Sequence, residues 1–179
     1  MILCCSSAAA RLAIMCALGL LAAACASERE PPTGDPAFYR SMASAAAVLD
    51  APTAATMISG YRANNGLSAV TVDSELMKLA EAQARAMASR DKLDHSVIRA
   101  FPERLRVSGY DATVAVENIG AGYHTLAEAF SGWRGSPPHR ANMLRNGATR
   151  MGIAAVYAPQ SKYKVFWALI LAAPDGQPG

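Results

Sequence analysis

Residues 149–171 read TRMGIAAVYAPQSKYKVFWALIL, and the alternation within them decides the fold. Two β-prone runs, Thr149 to Tyr157 and Tyr163 to Leu171, flank the turn-forming stretch Ala158-Pro159-Gln160-Ser161, which predicts a hairpin. A strand with one wet face alternates apolar and polar residues, but from Val165 to Leu171 both faces are apolar. Such a strand needs cover on both sides. Helices must lie above and below it, so the economical architecture is α+β: a three-layer α/β/α sandwich around a small antiparallel sheet.

The helices that supply the cover lie upstream. Thr53, Met57, Ile58 and Tyr61 recur at helical spacing until Asn64-Asn65-Gly66, residues that tolerate a left-handed turn. Asp73 is a good N-cap for a longer helix whose apolar stripe is Leu76, Leu79, Ala80, Ala84 and Met87. It should pack across the sheet. Ser89-Arg90-Asp91-Lys92 then leads Asp94-His95-Ser96 into a loop. A shorter helix is predicted over Pro102 to Val107, closed by Ser108-Gly109, and a strand over Val114 to Ile119 that sets Glu117 on a defined face. Thr125-Leu126-Ala127-Glu128 reads as a capping box, Glu128 reaching back to Thr125, with its helix running to about Arg134. Ser136-Pro137 starts another helix, serine as N-cap and proline at the first helical position, so His139 falls in a first turn and Asn146-Gly147 closes the segment.

At 179 residues the chain suits one domain. Met1 to about Ala26 reads as an export signal: Arg11 is its only charge, and the apolar run Leu12 to Ala26 falls short of the about 20 residues a membrane span needs. Two cleavage readings stand side by side. Leu21-Ala22-Ala23-Ala24-Cys25 resembles the bacterial lipoprotein box, in which Cys25 becomes the lipidated first residue. Ala24-Cys25-Ala26 also fits ordinary signal peptidase, which would release a soluble protein. We favour the lipoprotein type for residues 1–25. The expected location is then the cell envelope or periplasm, with a lipid anchor as the only membrane attachment, or the exterior if the other cleavage operates. Residues 26–52 are expected to be a polar, proline-rich linker followed by a short Ala-rich helix, Ala37 to Leu49, and residues 53–175 the folded domain.

Cys4, Cys5, Cys16 and Cys25 all fall in the leader, so the domain has no internal disulfide and depends on packing. The formal charge of +3 is spread among interspersed acids and bases with no basic block, which argues against nucleic acid as a partner.

The chain has 3 histidines, and two of them, His95 and His139, sit with Glu117 in segments dense with structural punctuation. Two imidazoles and a carboxylate are metal-ligand chemistry, and three protein groups leave coordination positions open for a water, a substrate or a weakly held exchangeable ion. A helix N-terminus beside His139 should depress its pKa and favour the neutral, metal-binding form. Plainer roles stand beside these: Glu117 as a backbone acceptor for the Asn118-Ile119-Gly120 loop, His124 as a loop residue, Ser136 as a cap and Trp133 as core.

The ordered set Tyr61-Arg62, Gly66-Leu67, His95, Gly109-Tyr110, Glu117-Asn118-Ile119-Gly120, Trp133 and Ser136-Pro137-Pro138-His139-Arg140-Ala141-Asn142-Met143-Leu144, ending in the Gly152 strand, resembles the CAP superfamily, in particular its disulfide-free bacterial branch. That group unites cysteine-rich secretory proteins, antigen 5 and plant pathogenesis-related proteins. The resemblance implies an α/β/α sandwich with a cleft of two histidines and two acids able to hold a divalent ion. His95 and His139 match the histidines and Glu117 the first acid, while Ser136 stands where the second acid belongs, with Asn118 beside it in the cleft. The functional expectation is an exported binding module for a divalent metal, with zinc, magnesium and calcium undistinguished, and for a small apolar or lipid ligand or an envelope component. The alternative is a metal-assisted hydrolase using His95, Glu117 and His139. A Ser136-His139-Glu117 triad is a weaker third, because a capping serine gives its oxygen to backbone donors and no Gly-x-Ser-x-Gly elbow surrounds it.

Overall fold

The computed structural model describes residues 34–176; the leader, Cys25 and most of the linker lie outside them. The elements follow as α1 (Ala51–Ala63), β1 (Thr71–Val72), α2 (Ser74–Arg90), α3 (Phe101–Ser108), β2 (Ala112–Ala121), α4 (Leu126–Gly135), α5 (Pro137–Met143), β3 (Arg150–Tyr157) and β4 (Val165–Pro174). β4 is buried from Val165 to Ala173, as its two apolar faces predict. Its alternate residues serve opposite layers. Val165, Trp167, Leu169 and Leu171 pack with Ile58 of α1, Ala129 and Trp133 of α4 and Met143 of α5. Phe166, Ala168, Ile170 and Ala172 pack with Leu76, Ala80, Ala84 and Met87 of α2.

The sheet runs β1-β3-β4-β2, with β4 antiparallel to both neighbours. The expected α+β sandwich is present, and the three long strands are antiparallel. β1 makes the sheet mixed, because its two residues join β3 in parallel, Thr71 opposite Arg150 and Val72 opposite Met151. A two-residue strand is too short to show a period. β2 outruns the expected Val114 to Ile119, since pairing with β4 carries it from Ala112 to Ala121.

The helix signals are realised with a few displacements. The Asp73 carboxylate accepts from the Glu75 and Leu76 N–H groups at 2.9 and 3.0 Å, and Asp50 caps α1 through the Thr53 N–H at 2.9 Å. Thr125 accepts from Glu128 N–H at 3.2 Å, but the Glu128 carboxylate reaches one residue further back than expected, to His124 N–H at 2.6 Å. α5 stops at Met143, short of Asn146-Gly147. The cause is Arg62, which is fully buried and donates to the carbonyls of Met143, Arg145, Ala148 and Ser68 at 2.8 to 2.9 Å. Carbonyls held by a guanidinium are diverted from helix continuation.

The Ala-rich helix expected over Ala37 to Leu49 does not form. Only Ala37–Tyr39 makes a 3-10 turn; beyond it the Ser41 and Ser44 hydroxyls accept from Ala43 and Ala46 N–H, local bonds that compete with a helix. The path is fixed instead by burial of Met42, whose N–H donates to the His124 carbonyl at 2.6 Å. The packed domain therefore begins before Thr53.

α2 lies directly on β3 at Gly152, where a methyl group would overlap the Leu76 carbonyl and come within 2.5 Å of the Met77 nitrogen. Both obstacles are helix backbone and cannot rotate away. Gly152→Ala is predicted to destabilise the fold by about 3 kcal/mol or more, the upper end for an overpacked core. Chemical denaturation checks it, and a loss within experimental error of zero would contradict the close approach.

Candidate functional site

β2 forms one edge of the sheet, and the site is built around its middle. Glu117 lies opposite Ile170, which belongs to the α2 layer, while Asn118 lies opposite Leu169, which belongs to the other layer. Adjacent residues of the edge strand thus send their side chains to opposite faces. His95 approaches on the Glu117 side, from the loop after α2, and α5 brings His139 against Asn118 on the other side.

Glu117 is the centre of the first half. Its side chain is 1% exposed, and both oxygens are engaged. Oε1 meets His95 Nδ1 at 2.8 Å, and Oε2 accepts from Arg104 Nη2 at 2.6 Å. Arg104 is itself only 10% exposed; its Nε donates to the Arg99 carbonyl and its guanidinium lies 5.3 Å from the Phe101 ring centroid. A buried pair of this kind is costly to break, about 3–5 kcal/mol when one partner is removed, because the other charge is left inside alone. On the same side, Gln83 Nε2 donates to the Asp94 carbonyl at 2.8 Å and so fixes the turn that delivers His95.

The second half is fastened by amides. Asn118 Nδ2 donates to the His139 carbonyl at 2.9 Å, and Asn142 Nδ2 bridges Asn118 Oδ1 at 2.9 Å and the Glu117 carbonyl at 3.0 Å. The last of these satisfies the Glu117 carbonyl of the edge strand, and together they hold α5 against it. The His139 pKa is lowered, first by burial and then by the His95 charge. The direction agrees with the expectation from the sequence, but burial replaces the helix terminus as the leading cause.

Ser136 stands at the N-cap position of α5, yet its hydroxyl caps nothing: no side-chain hydrogen bond to the helix is made. The premise that its oxygen is occupied by backbone donors is therefore corrected. The triad gains little from this, because the Glu117 carboxylate points to His95 and Arg104 and leaves His139 without an acid partner among the described residues. His124 is an exposed loop residue and Trp133 is core, 1% exposed, donating to the Ile119 carbonyl at 3.0 Å.

Among the described residues, no three His, Cys, Asp or Glu side chains are placed to hold a metal ion together. Glu117 as a third direct ligand is what the geometry disfavours, since its oxygens are already bound. The imidazoles fit better. A carboxylate accepting from His95 Nδ1–H would leave the lone pair of a neutral ring on Nε2, and a depressed pKa favours neutral His139.

Arg104 and Gln83 belong to the site without standing out in the sequence, and Asn142 stands there only as part of the His139 stretch, with no role of its own. Arg104 carried a signal: it lies three residues after Phe101 and one before Leu105, on the helix face that those residues turn to the core. A cation on an apolar stripe needs a buried acceptor. Asn142 and Gln83 look like ordinary helix polars in sequence.

The depressed His139 pKa makes a pH prediction for metal-free protein. As pH falls below the ordinary value of about 6.5, the unfolded chain takes up this proton first, so the stabilisation is complete above that pH and is lost below it. Denaturation between about pH 8 and pH 5 should show a smaller acid loss in His139→Gln than in the parent. Superimposable pH profiles would contradict the burial of a neutral imidazole.

Known proteins share both the sequence pattern and the sandwich. Residues 55–171 match the cysteine-rich secretory protein family, CAP. Uncharacterized protein YkwD of Bacillus subtilis (strain 168) is 31% identical over 97 residues, covering 53% of this chain and 38% of YkwD. The fold is shared with an extracellular protein containing a SCP domain from Bacillus anthracis, TM-score 0.60 at 20% identity, over 68% of this chain and 39% of that one. It is also shared with an outer surface protein from Borrelia burgdorferi, TM-score 0.61 at 16% identity, over 70% and 92% of the two chains. This chain spans about two fifths of the length of YkwD and of the Bacillus anthracis protein. With a family match over most of its folded residues and the same sandwich in bacterial relatives, the chain belongs to the cysteine-rich secretory protein (CAP) family, bacterial branch.

Proposed function

We propose that this chain is an exported CAP-domain protein of the cell envelope that works as a binding module, its cleft taking an exchangeable divalent ion between His95 and His139. The observation that carries this reading is the state of Glu117: both carboxylate oxygens are committed, to His95 and to Arg104. A hydrolase needs a group free to take and return a proton, and with Ser136 in the place of a second acid the cleft offers no such carboxylate among the described residues. Glu117 instead serves as the outer partner that orients a ligating imidazole, a role that raises metal affinity without contact to the metal. A bound ion would supply Lewis acidity or a fixed positive charge for a ligand.

Two further features support the binding reading. A concavity of about 480 Å³, separate from the two histidines and lined by Phe38, Asp50, Pro52, Thr53, Thr56 and Met57, has a mostly apolar wall of the kind a small lipid or apolar ligand requires. The extracellular and outer-surface descriptions of the structural neighbours favour export. Anchoring through Cys25 belongs to the same proposal, and fatty-acid labelling that persists in Cys25→Ser would overturn it.

Calorimetric titration with zinc, magnesium and calcium tests the ion. Binding of at least one is expected, lost in His95→Ala and weakened about 10–100-fold in Glu117→Gln. Failure of all three ions to bind ends the metal reading. Turnover of ester, peptide or nucleic-acid substrates that disappears in both variants would replace the binding module with the metal-assisted hydrolase.

A further inference from the structure

We propose that Arg104 is the positioning residue of this cleft: its guanidinium aligns the Glu117 carboxylate so that Oε1 receives His95 Nδ1–H and His95 presents Nε2 to the ligand. The inference deepens the binding-module reading and rests on it for its second readout only.

A lone carboxylate is free to choose among rotamers. Glu117 sits on an edge strand at 1% exposure, so water cannot orient it, and some protein group must choose its rotamer. Arg104 is the cation in contact with it. The Arg104 fork is itself held from several sides: Nε to the Arg99 carbonyl at 3.2 Å, Nη2 to Glu117 Oε2 at 2.6 Å and to the His95 carbonyl at 3.4 Å, and the Phe101 ring against it. One nitrogen therefore touches both the carboxylate and the backbone of the histidine that the carboxylate serves. Arg104 ties the α3 face, β2 and the His95 loop into a single unit.

The consequence for His95 follows from what each group can do. An ionised carboxylate only accepts, so the 2.8 Å contact assigns a hydrogen to Nδ1, and in the neutral imidazole that leaves the lone pair on Nε2. His95 is 49% exposed, so little else in its surroundings selects a tautomer. If Oε1 turns away, the imidazole loses that selection and the cleft loses a defined donor. A lysine at position 104 would supply charge but not a planar fork reaching three acceptors. The remaining guanidinium nitrogen, Nη1, is buried without a partner among the described residues, which marks Arg104 as placed for Glu117 at some cost to its own satisfaction.

Nitrogen-15 NMR of the histidine side chains reads the tautomer directly, in full-length exported protein without metal. The Nδ1–H form is expected at His95 in the parent, with a mixture in Arg104→Gln while the His139 signals stay in place. Arg104→Lys should give an intermediate population. Zinc affinity, measured on the same samples, should fall about 10–100-fold in Arg104→Gln, the usual cost of losing an outer-sphere partner. If Arg104→Gln does not fold, Arg104→Lys, which keeps the charge and loses the planar fork, carries the test. An Nδ1–H tautomer retained in full in Arg104→Gln or in Arg104→Lys overturns the proposal. Zinc failing to bind the parent ends the metal reading and leaves the tautomer result standing, so the two failures are distinct.

Discussion

Burial of β4 on both faces is the constraint from which the rest of the molecule follows. A strand with apolar residues at every position cannot face water on either side, so it takes the inside of the sheet and draws α2 to one face and α1, α4 and α5 to the other. β2, with its polar Glu117 and Asn118, is left at an edge. That placement creates the site. An edge strand has backbone groups to satisfy and side chains that leave on two faces, and a loop from one layer and a helix from the other meet around it.

Within the site the decisive quantity is the charge on a nearly inaccessible carboxylate. Desolvating Glu117 is tolerable only because a cation and a ring N–H lie against its two oxygens. The same compensation commits both Glu117 oxygens to internal partners. Two imidazoles of unequal character flank the strand, one held at Nδ1 and half-exposed, the other more enclosed and biased toward its neutral form.

Much of this is legible in the residues alone. The hairpin, the doubly covered strand and the capped α2 each rest on a strong local signal, and His95, Glu117 and His139 stand out because histidine is scarce in this chain. The failures share a cause. The Ala37 to Leu49 segment has helical composition but takes its path from Met42 and the His124 carbonyl, a contact far away in sequence. β1 exists only because β3 passes beside it, and Ser136 has the identity of a cap without the bond. In each case tertiary context outweighs propensity.

The two buried arginines show where sequence reasoning stops most sharply. Charged side chains are read as surface, yet Arg62 and Arg104 are both enclosed and play opposite parts. Arg62 meets only carbonyls, so it carries a full charge on partial dipoles and shapes the backbone after α5. Arg104 meets a carboxylate, so its charge is cancelled and its geometry is passed on to His95. Neither could be assigned from its neighbours along the chain, because what distinguishes them is the chemistry of acceptors that arrive from other elements. A cation on the inward face of a helix is therefore the sequence feature to follow in this fold: it announces a buried acceptor, and the acceptor's identity separates scaffold from site.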